Sequence, residues 1–359
     1  MKLLQLDYKK QSLTKGNNEW SVDALLLMDT NLIVGQNATG KSRVLRLIDK
    51  VASIINGLPV DDSFNGAVSN TFWQLHFQKT NGDTFKYTFS STMGLFPSEK
   101  MYFNEQLVLE RTNDGTYIFS HTLNKRIEIA PPLDKLTLHI RRDQIEFPFF
   151  EDIAQWAKQV RFFDFTAIDP IDKLSKSLDY HPVHLLEKLN TTSKSRVISE
   201  LNEIGYNVKD IFVQKLLAPR LLVVEEGLNA PLIDSEMSQG MLRALALLVF
   251  IENVVANNHV STVLVDDLGE GLDYERATKL SKLLVEKLEN SNIQFIATSN
   301  DSFLMDVIPI KYWNILRRDG NTVSSLNYQN SKERFDKFLM TGLSNFDLFS
   351  SNYLMRPKP

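Results

Sequence analysis

The chain has 359 residues, of which 43% are hydrophobic and 23% are charged, a composition typical of globular proteins and not of disordered chains. Its 40 basic and 44 acidic residues give a net charge of -4, so no global field indicates nucleic acid or an anionic membrane as a partner, although a local basic patch stays open. The sequence contains no cysteine, which excludes disulfide bonds, thiol catalysis and cysteine-ligated metals and fits a reducing cytoplasm.

Neither a secretion signal nor a membrane span is predicted. The start of the chain, MKLLQLDYKKQ, has too short an apolar core for a signal peptide. The most apolar stretch, MLRALALLVFIENVVA, is interrupted by Arg243 and Glu252. We therefore expect a soluble, cytoplasmic protein without a membrane partner.

In the amino-terminal part of the chain, the spacing of the apolar residues changes from a helical pattern to the alternating pattern of strands. Residues 24–35 have the pattern of strands, and residues 41–57 predict a helix with one apolar stripe. From about residue 70 the apolar residues alternate every second position, with hairpin turns at residues 81–82 and 113–115. An antiparallel β-subdomain is therefore expected over about residues 70–142.

The rest of the chain is predicted to be helical first and then alternating. Residues 146–212 are mostly helical in pattern, followed by a strand-like run, RLLVVEEG, and a long apolar helix that starts near Ser238. Strands then alternate with helices from residue 261 to residue 328, and a further helix precedes the carboxyl terminus. This alternation predicts a parallel sheet as the core.

The segment GQNATGKS, residues 35–42, matches the pattern G-x-x-x-x-G-K-[ST] between a predicted strand and a predicted helix. Glycines let the backbone wrap a phosphate, so that N–H groups and the helix start meet the negative charge. Lys41 would reach the β- and γ-phosphates, and the Ser42 hydroxyl would bind Mg²⁺. The predicted nucleotide-binding residues here are Gly35, Gln36, Asn37, Ala38, Thr39, Gly40, Lys41, Ser42 and Arg43. The alternative is a glycine-rich turn that binds nothing, which the flanking strand and helix disfavour.

A second segment, VLVDDLGEGLDYER, places four carboxylates directly after a short apolar run. Asp266 ends the predicted strand, where a P-loop site needs a carboxylate for the Mg²⁺ coordination sphere. Asp267 would point to the other side of the strand end and orient or deprotonate a water. Two interpretations of Glu270 stay open. It is either a surface residue of the turn or a second carboxylate that reaches the same water as Asp267. The alternative is that these carboxylates are only solvated turn residues. The presence of the P-loop disfavours that alternative.

A third segment, SQGMLRALALL, begins a long apolar helix. The Ser238 hydroxyl and the N–H groups that follow it form a helix start that can bind an anion. Any capped helix has this appearance. The position of Ser238-Gln239-Gly240 upstream of Asp266 is what makes the segment a candidate.

In this order, GQNATGKS, SQGMLRALALL, VLVDDLGEGLD and IQFIATSND resemble the Walker A, signature, Walker B with D-loop, and switch segments of ABC-type ATPases of the SMC, RecF and OLD-nuclease kind. The resemblance implies an α/β P-loop NTPase fold, an ABC-ATPase head with a parallel-sheet core, an antiparallel β-subdomain and an inserted helical lobe. The implied divisions are an ATPase lobe over 1–142 and 236–330, a helical lobe over 143–235, and a carboxyl-terminal helix and tail over 331–359.

The resemblance also implies a head-to-head dimer that encloses two ATP molecules with Mg²⁺. Each nucleotide would be held by the P-loop of one copy and by Ser238 and Gly240 of the other. Asp273 would lie in the D-loop at the interface. Gln144 has the best position for the glutamine that such ATPases place at the metal.

Two positions depart from the pattern of this family. Asp267 stands where most members have glutamate, so the base is one methylene shorter, and a displacement of about 1 Å can cost about a hundredfold in rate. Asn300 stands where the switch segment usually has histidine, and an amide cannot carry a proton at neutral pH. These departures predict slow hydrolysis and a switch suited to sensing ATP.

Three functions follow as hypotheses. The leading one is an Mg²⁺-dependent ATPase whose dimerisation regulates a separate effector, a nuclease or toxin of a bacterial antiviral defence system, encoded by a neighbouring gene. The second is a RecF-like repair or clamp ATPase that grips DNA, for which ATP-dependent, salt-sensitive DNA binding would be the sign. The third is a nucleotide-dependent scaffold that does not hydrolyse ATP.

Overall fold

The structure is a computed structural model, which describes residues 1–13, 19–59, 69–164, 182–215, 219–256, 262–289 and 291–350, without the side chains of residues 303 and 348–350. The chain forms two compact units. The first comprises Met1–Arg161 and Lys311–Lys337, and the second comprises Phe162–Ile310 and Phe338–Pro359. Each unit is described by itself below.

The secondary structure alternates between strands and helices in both units. The strands are β1 (Lys2–Ser12), β2 (Trp20–Leu26), β3 (Thr30–Val34), β4 (Ser69–Gln78), β5 (Thr84–Thr92), β6 (Leu95–Phe103), β7 (Gln106–Thr112), β8 (Gly115–Ser120), β9 (Lys125–Ile129), β10 (Val160–Asp164), β11 (Val208–Gln214), β12 (Arg220–Glu225), β13 (Leu232–Ile233), β14 (Thr262–Asp266), β15 (Gln294–Thr298), β16 (Trp313–Asp319) and β17 (Thr322–Asn327). The helices are α1 (Lys41–Ile55), α2 (Thr137–Ile140), α3 (Pro148–Gln159), α4 (Pro182–Lys188), α5 (Thr191–Ile204), α6 (Gln239–Ala256), α7 (Tyr274–Glu289), α8 (Ser302–Val307), α9 (Tyr328–Leu339) and α10 (Asn345–Ser350), with a 3-10 turn over Ile310–Tyr312.

The first unit is built on one mixed sheet in the order β3-β16-β17-β2-β1-β4-β5-β6-β7-β8-β9. β3 is buried along its whole length and pairs in parallel with β16, and β17 pairs in parallel with β2. Its residues 32–34 form the apolar run that a strand buried on both faces favours, which is why the sequence pattern predicts strand here. β3 leads directly into the loop before α1.

The strands β4 to β9 form the predicted antiparallel β-subdomain. Its interior contains an ion pair, with Arg111 Nε 3.6 Å from Glu99 Oε2, and both side chains are almost fully buried. The Glu99 carboxylate also accepts hydrogen bonds from the backbone N–H of Thr137, at 3.1 and 3.0 Å, and from Tyr87 Oη at 2.6 Å. Glu99 therefore fixes the start of α2. The ring of His139 in α2 lies 3.1 Å from the carbonyl oxygens of Ile54 and Ile55, at the end of α1.

Arg111→Ala is expected to lower the free energy of unfolding by about 3–5 kcal/mol, because it leaves the buried Glu99 carboxylate without its cation. Arg126→Ala is the matched control in the same subdomain, since Arg126 pairs with Glu110 at 3.0 Å but is half exposed. That substitution should cost less than about 1 kcal/mol. Urea denaturation of the three proteins measures both values. Equal effects of the two substitutions would show that the buried pair does not anchor α2.

The second unit combines a parallel pair with a helical layer. β14 and β15 are parallel, with Val265 opposite Ala297, as the closing alternation of strand and helix predicts. The helix α6 is buried on nearly all sides. It is long and apolar enough to cross a membrane by length and composition, yet 78% of it is buried inside the protein, as in the core helix of a globular domain. Lys287 of α7 joins α5 and α6 by contacting Glu200 at 2.6 Å and Glu252 at 2.7 Å.

One predicted helical stretch is wrong. The pattern of residues 146–212 extends helix through NVKDIF, but residues 208–214 form β11, which pairs with β12 in an antiparallel sheet with β13. The physical reason is Gly205, which ends α5 with a left-handed φ of 110° and lets the N–H of Tyr206 bond to Leu201 at 3.0 Å. The apolar residues beyond it then alternate as in a strand.

The units and the predicted lobes divide the chain differently. The first unit continues to Arg161 and takes back Lys311–Lys337, whereas the predicted lobes change at residues 142, 235 and 330. The two compact units are defined by which residues pack together, whereas the boundaries of the predicted lobes were set by the positions of the sequence motifs. The lobes over 1–142 with 236–330, 143–235 and 331–359 therefore remain predictions.

Candidate nucleotide-binding site

The P-loop lies in the first unit, between the end of β3 and the start of α1. Its backbone turns through two left-handed positions, Ala38 at φ 65° and Gly40 at φ 100°. A Cβ on Gly35 would lie 2.6 Å from Thr39 Oγ1, so only glycine fits there. Gln36, Asn37 and Ala38 are exposed, and the N–H of Thr39 bonds to the Gln36 carbonyl at 3.2 Å. The loop therefore holds its shape through its own backbone.

The start of α1 is suited to an anion. Gly40 is the cap residue, no side chain caps the helix, and the first turn contains no acidic residue. The first N–H groups of α1 therefore lack the usual side-chain acceptor, and the helix dipole adds positive potential there. Lys41 is 6% exposed, and its ammonium donates to the carbonyl of Gly35 at 2.7 Å. The backbone N–H groups at the start of α1 and the buried Lys41 ammonium thus lie at the same loop. A phosphate group binds well to such an arrangement.

Two arginines border the P-loop. Arg43 is in the first turn of α1, with its guanidinium carbon 3.8 Å from the centre of the Trp20 ring. Arg318 of β16 donates to the carbonyl of Ala38 at 3.1 Å and so holds the tip of the loop. Arg43 belongs to the predicted set only because it follows the motif, and Arg318 was not predicted. No local pattern connects residue 318 with residue 38.

The carboxylate pair lies in the second unit, at the end of β14. Asp266 is 2% exposed, and its Oδ1 accepts a hydrogen bond from Thr298 Oγ1 at 2.7 Å. The same hydroxyl oxygen accepts from the backbone N–H of Asp267 at 2.8 Å. Thr298 thus fixes both residues through one hydroxyl group. A buried carboxylate oriented in this way has the oxygen chemistry that Mg²⁺ prefers.

Asp267 and Asn300 lie close together. Asp267 is half-buried, while Asn300 is exposed, and the Asn300 amide nitrogen is 3.4 Å from Asp267 Oδ1. The backbone of Asp267 has φ 53°, a left-handed conformation in which aspartate and asparagine are several-fold enriched. This gives a physical reason for aspartate at the position. The two side chains can together orient a water, the carboxylate by accepting and the amide by donating.

The signature segment starts α6 in the same unit. The Ser238 hydroxyl accepts from the N–H of Met241 at 3.2 Å, so it is the cap of α6. Ser238 and Gln239 are exposed and Gly240 is buried. A Cβ on Gly240 would lie 2.6 Å from the carbonyl oxygen of Gly271. The glycine is required because the D-loop backbone passes directly over the helix start.

Arg243 connects the signature helix to the D-loop. Its side chain is 7% exposed, and its Nη1 donates to the carbonyl of Glu270 at 2.9 Å. A Cβ on Gly271 would lie 2.4 Å from the same nitrogen. This role of Arg243 was not predicted, although Arg243 lies one helical turn from Gly240 and therefore on the same face of the helix. Signature and D-loop form one packed element in the second unit.

Gly271→Ala is expected to destabilise the protein more than Gly94→Ala does. Both glycines have left-handed φ, 79° and 76°, so the backbone strain of each alanine is alike, about 1 kcal/mol. Nothing lies within 4 Å of a Cβ on Gly94, whereas a Cβ on Gly271 displaces Arg243. Gly271→Ala should therefore lower the free energy of unfolding by about 1–3 kcal/mol more than Gly94→Ala does. Urea denaturation measures the difference, and equal values would contradict the packing of Arg243 on the D-loop.

Asp273 ends the D-loop and starts α7. Its carboxylate accepts from the backbone N–H of Arg276 at 3.0 Å and from the Arg276 guanidinium at 2.7 Å. The hydrogen bond from the backbone N–H of Arg276 is the largest cause that lowers the pKa of Asp273. Arg276 lies over the ring of Tyr206, 4.5 Å from its centre. Asp273 thus has a capping role within its own copy, and its predicted interface role stays a prediction.

Gln144, Glu270 and Ser42 complete the predicted set. Gln144 is exposed in a turn after α2, Glu270 is exposed in the turn after Asp267, and Ser42 is half-buried in the first turn of α1. The structure brings the P-loop residues together within the first unit. It brings Asp266, Asp267 and Asn300 together within the second, where Ser238, Gly240 and the D-loop form another group.

The chain matches over residues 30–306 the family described as "AAA domain, putative AbiEii toxin, Type IV TA system". The match begins before the P-loop and ends after the switch segment, and it covers more than half of the sequence. The chain therefore belongs to this family. No curated protein matches the chain in sequence.

Three solved structures of SMC head domains are similar to the chain, one of them with a TM-score above 0.5. The chain is similar to a structure titled "Crystal structure of the SmcHead bound to the C-winged helix domain of ScpA", at 12% identity and a TM-score of 0.54, covering 93% of this chain and 100% of that chain. An SMC head domain from Thermotoga maritima matches at 14% identity and a TM-score of 0.47, over 91% and 99% of the two chains. An SMC head domain with an extended coiled coil, bound to the C-terminal domain of ScpA derived from Pyrococcus furiosus, matches at 12% identity and a TM-score of 0.48, over 94% and 99%.

The family match and the SMC-head fold define a P-loop protein of the ABC-type, SMC-like class. This confirms the predicted class and the predicted α/β P-loop fold. Members of this class are in general nucleotide-binding ATPases.

Proposed function

We propose that the chain is an Mg²⁺-dependent ATPase whose two copies enclose ATP and whose dimerisation regulates a separate effector. The P-loop carries this proposal, because the uncapped start of α1 and the buried Lys41 form a cation-lined cradle for phosphates. Gly35 through Arg43 would bind the nucleotide. Ser42 and Asp266 would hold Mg²⁺, which offsets the phosphate charge when it is bound. Gln144 is proposed as a further metal ligand.

Hydrolysis is proposed to be slow. Asp267 would act as the base and Asn300 would orient the water, and the distance of 3.4 Å between them leaves only a weak mutual hydrogen bond. Neither side chain supplies the proton relay that a histidine provides. Turnover would therefore be limited by a short carboxylate on a left-handed backbone position, and the ATP-bound state would persist.

The second copy would complete each site. Ser238 and Gln239 are exposed at the start of an 18-residue helix, so they are accessible to a nucleotide held by a partner copy. Gly240 and Arg243 lock this helix start to the D-loop. When the dimer closes, the signature segment at the start of α6 and Asp273 would move together. ATP binding would thereby be coupled to contacts at the dimer interface.

The effector part of the proposal is supported by the family. The description of the family names a toxin and a type IV toxin–antitoxin system, and such systems pair two proteins. A cytoplasmic location, a partner encoded nearby and a role in bacterial antiviral defence are further parts of the proposal. Nucleic acid as a direct partner of this chain is the competing outcome.

The experiment is a mass measurement by analytical ultracentrifugation with and without ATP and Mg²⁺. The wild-type chain, 41.1 kDa as a monomer, should double in mass only with both ligands, and Lys41→Ala should remain a monomer. Dimerisation without phosphate release would favour the scaffold hypothesis. ATP-dependent, salt-sensitive binding of DNA would favour the RecF-like hypothesis. A Lys41→Ala protein that dimerises like the wild type would contradict the proposal.

A further inference from the structure

Arg43 covers an aromatic ring beside the P-loop. The Trp20 side chain is 3% exposed, and the Arg43 guanidinium lies over its face, 3.8 Å from the ring centre. Arg43 itself is exposed. The guanidinium therefore contacts the indole on one side, while the residue as a whole keeps exposed surface. A planar, delocalised cation over an aromatic ring can itself serve as a stacking surface.

The position of this surface relates it to the phosphate cradle. Arg43 directly follows Ser42 in the first turn of α1. A Cβ on Gly40 would lie 3.5 Å from Trp20 Cζ2, so the ring borders the last glycine of the P-loop. A nucleoside attached to phosphates in the loop has its base within reach of this region.

The ring under Arg43 is rigidly supported. Trp20 contacts Tyr8, with the ring centres 5.8 Å apart, and Tyr8 contacts Trp73 at 4.5 Å. Trp73 in turn stacks on Phe89 at 6.1 Å. All four side chains are buried, so the stack extends from the P-loop into the core of the β-subdomain. A surface that does not have to be ordered on binding loses less free energy when a ligand stacks on it.

The charge at this surface comes from two arginines. Within the described residues, Arg43 contacts an aromatic ring, Arg318 contacts the carbonyl oxygens of Gly320 and Ala38, and neither forms an ion pair with a described carboxylate. Partial burial lowers the pKa of Arg43, and the charge of Arg318 acts in the same direction. The Arg43 guanidinium nevertheless keeps its positive charge. A cation at this surface favours a ligand that brings an electron-rich face and phosphates.

We infer that the Arg43 guanidinium, backed by Trp20, is the surface on which the base of a bound nucleoside triphosphate stacks. This inference rests on the proposed function. Stacking reads the face of a base and not its edge, so the site selects purines over pyrimidines by stacking area and distinguishes adenine from guanine weakly. Arg43 is thus a specificity-determining residue of the nucleotide site.

The test is calorimetric titration of the full chain with Mg²⁺ complexes of ATP, GTP, CTP and tripolyphosphate. Arg43→Lys keeps the charge and removes the planar face. It should weaken ATP binding about 10-fold or more and bring the affinities for ATP and CTP together, while tripolyphosphate binding changes little. Arg46→Lys, on an exposed position of the same helix, is the matched control and should leave all four affinities unchanged.

Two results would overturn the inference. Equal losses of ATP and tripolyphosphate binding in Arg43→Lys would mean that Arg43 contacts phosphate, and unchanged ATP binding would mean that it only covers Trp20. Lys41→Ala separates this from the proposed function, because it should remove binding of all four ligands. A wild-type chain that binds none of them overturns both proposals together. Thermal unfolding of Arg43→Lys shows whether the variant is folded.

Discussion

Lys41→Ala is expected to abolish ATP binding, with a loss of affinity of about 100-fold or more. The ammonium is almost fully buried beside the P-loop and already donates to its carbonyl oxygens at 2.7 and 3.3 Å. Two hydrogen bonds from this cation to phosphate oxygens would each contribute about 1.5–3 kcal/mol, and about 1.4 kcal/mol corresponds to tenfold in affinity. Calorimetric titration with ATP and Mg²⁺ measures the loss.

The control for this substitution is Lys50→Ala. Lys50 lies further along α1 and is half-buried, so it matches Lys41 in type and helix but not in position. Its replacement should leave ATP affinity within about twofold, well below one tenfold step. Full ATP binding by Lys41→Ala, or equal losses in both variants, would contradict the assignment of the P-loop as the triphosphate site.

Asp267→Asn is expected to lower phosphate release by about 100- to 10,000-fold while ATP binding persists, because a general base contributes that much to a rate. Asparagine is the suitable replacement, since it tolerates the left-handed φ of 53° as aspartate does. The amide keeps the size of the side chain but cannot take a proton from water. Single-turnover phosphate release, with ATP affinity measured in parallel, tests both halves of this expectation.

Glu270→Gln is the paired control, and it resolves which acid serves as the base. Glu270 is exposed in the turn that follows Asp267, between glycines at 269 and 271. If it is a surface residue, its neutral variant hydrolyses ATP at the wild-type rate. Loss of hydrolysis in Glu270→Gln together with retention in Asp267→Asn would transfer the role of the base to Glu270.

Local pattern was enough to predict the elements that carry the motifs. β3 and β14 are buried along their whole length and each contains a short apolar run, at residues 32–34 and 263–265. The strict alternation of the β-subdomain is a direct consequence of its one-sided burial. The strand β6 was not predicted. It contains Pro97, which cannot donate to the sheet and lies by an irregularity in the pairing with β5.

The contacts that orient the site could not be read from local pattern. Thr298 joins Asp266 and Asp267 because β14 and β15 are parallel and in register, which requires knowledge of the pairing. Arg318 reaches Ala38 across 280 positions of sequence. Gly271 would have looked like any turn glycine, and only the guanidinium of Arg243 beside it shows why a side chain is excluded. The residue types of the site can be predicted from the sequence motifs, but the orientation of their side chains depends on contacts between distant parts of the chain.

The proposed ATP site, shared by two copies of the chain, is tested most directly by mixing two inactive variants. Lys41→Ala lacks a working P-loop, and Ser238→Arg blocks the exposed signature start. Each alone should release no phosphate. In an equal mixture, a mixed dimer has one complete site, whereas neither variant can form a complete site with itself. Phosphate release should therefore return, to at most about half of the wild-type rate. Absence of any recovery, or full activity of Ser238→Arg alone, would contradict a site built from two copies.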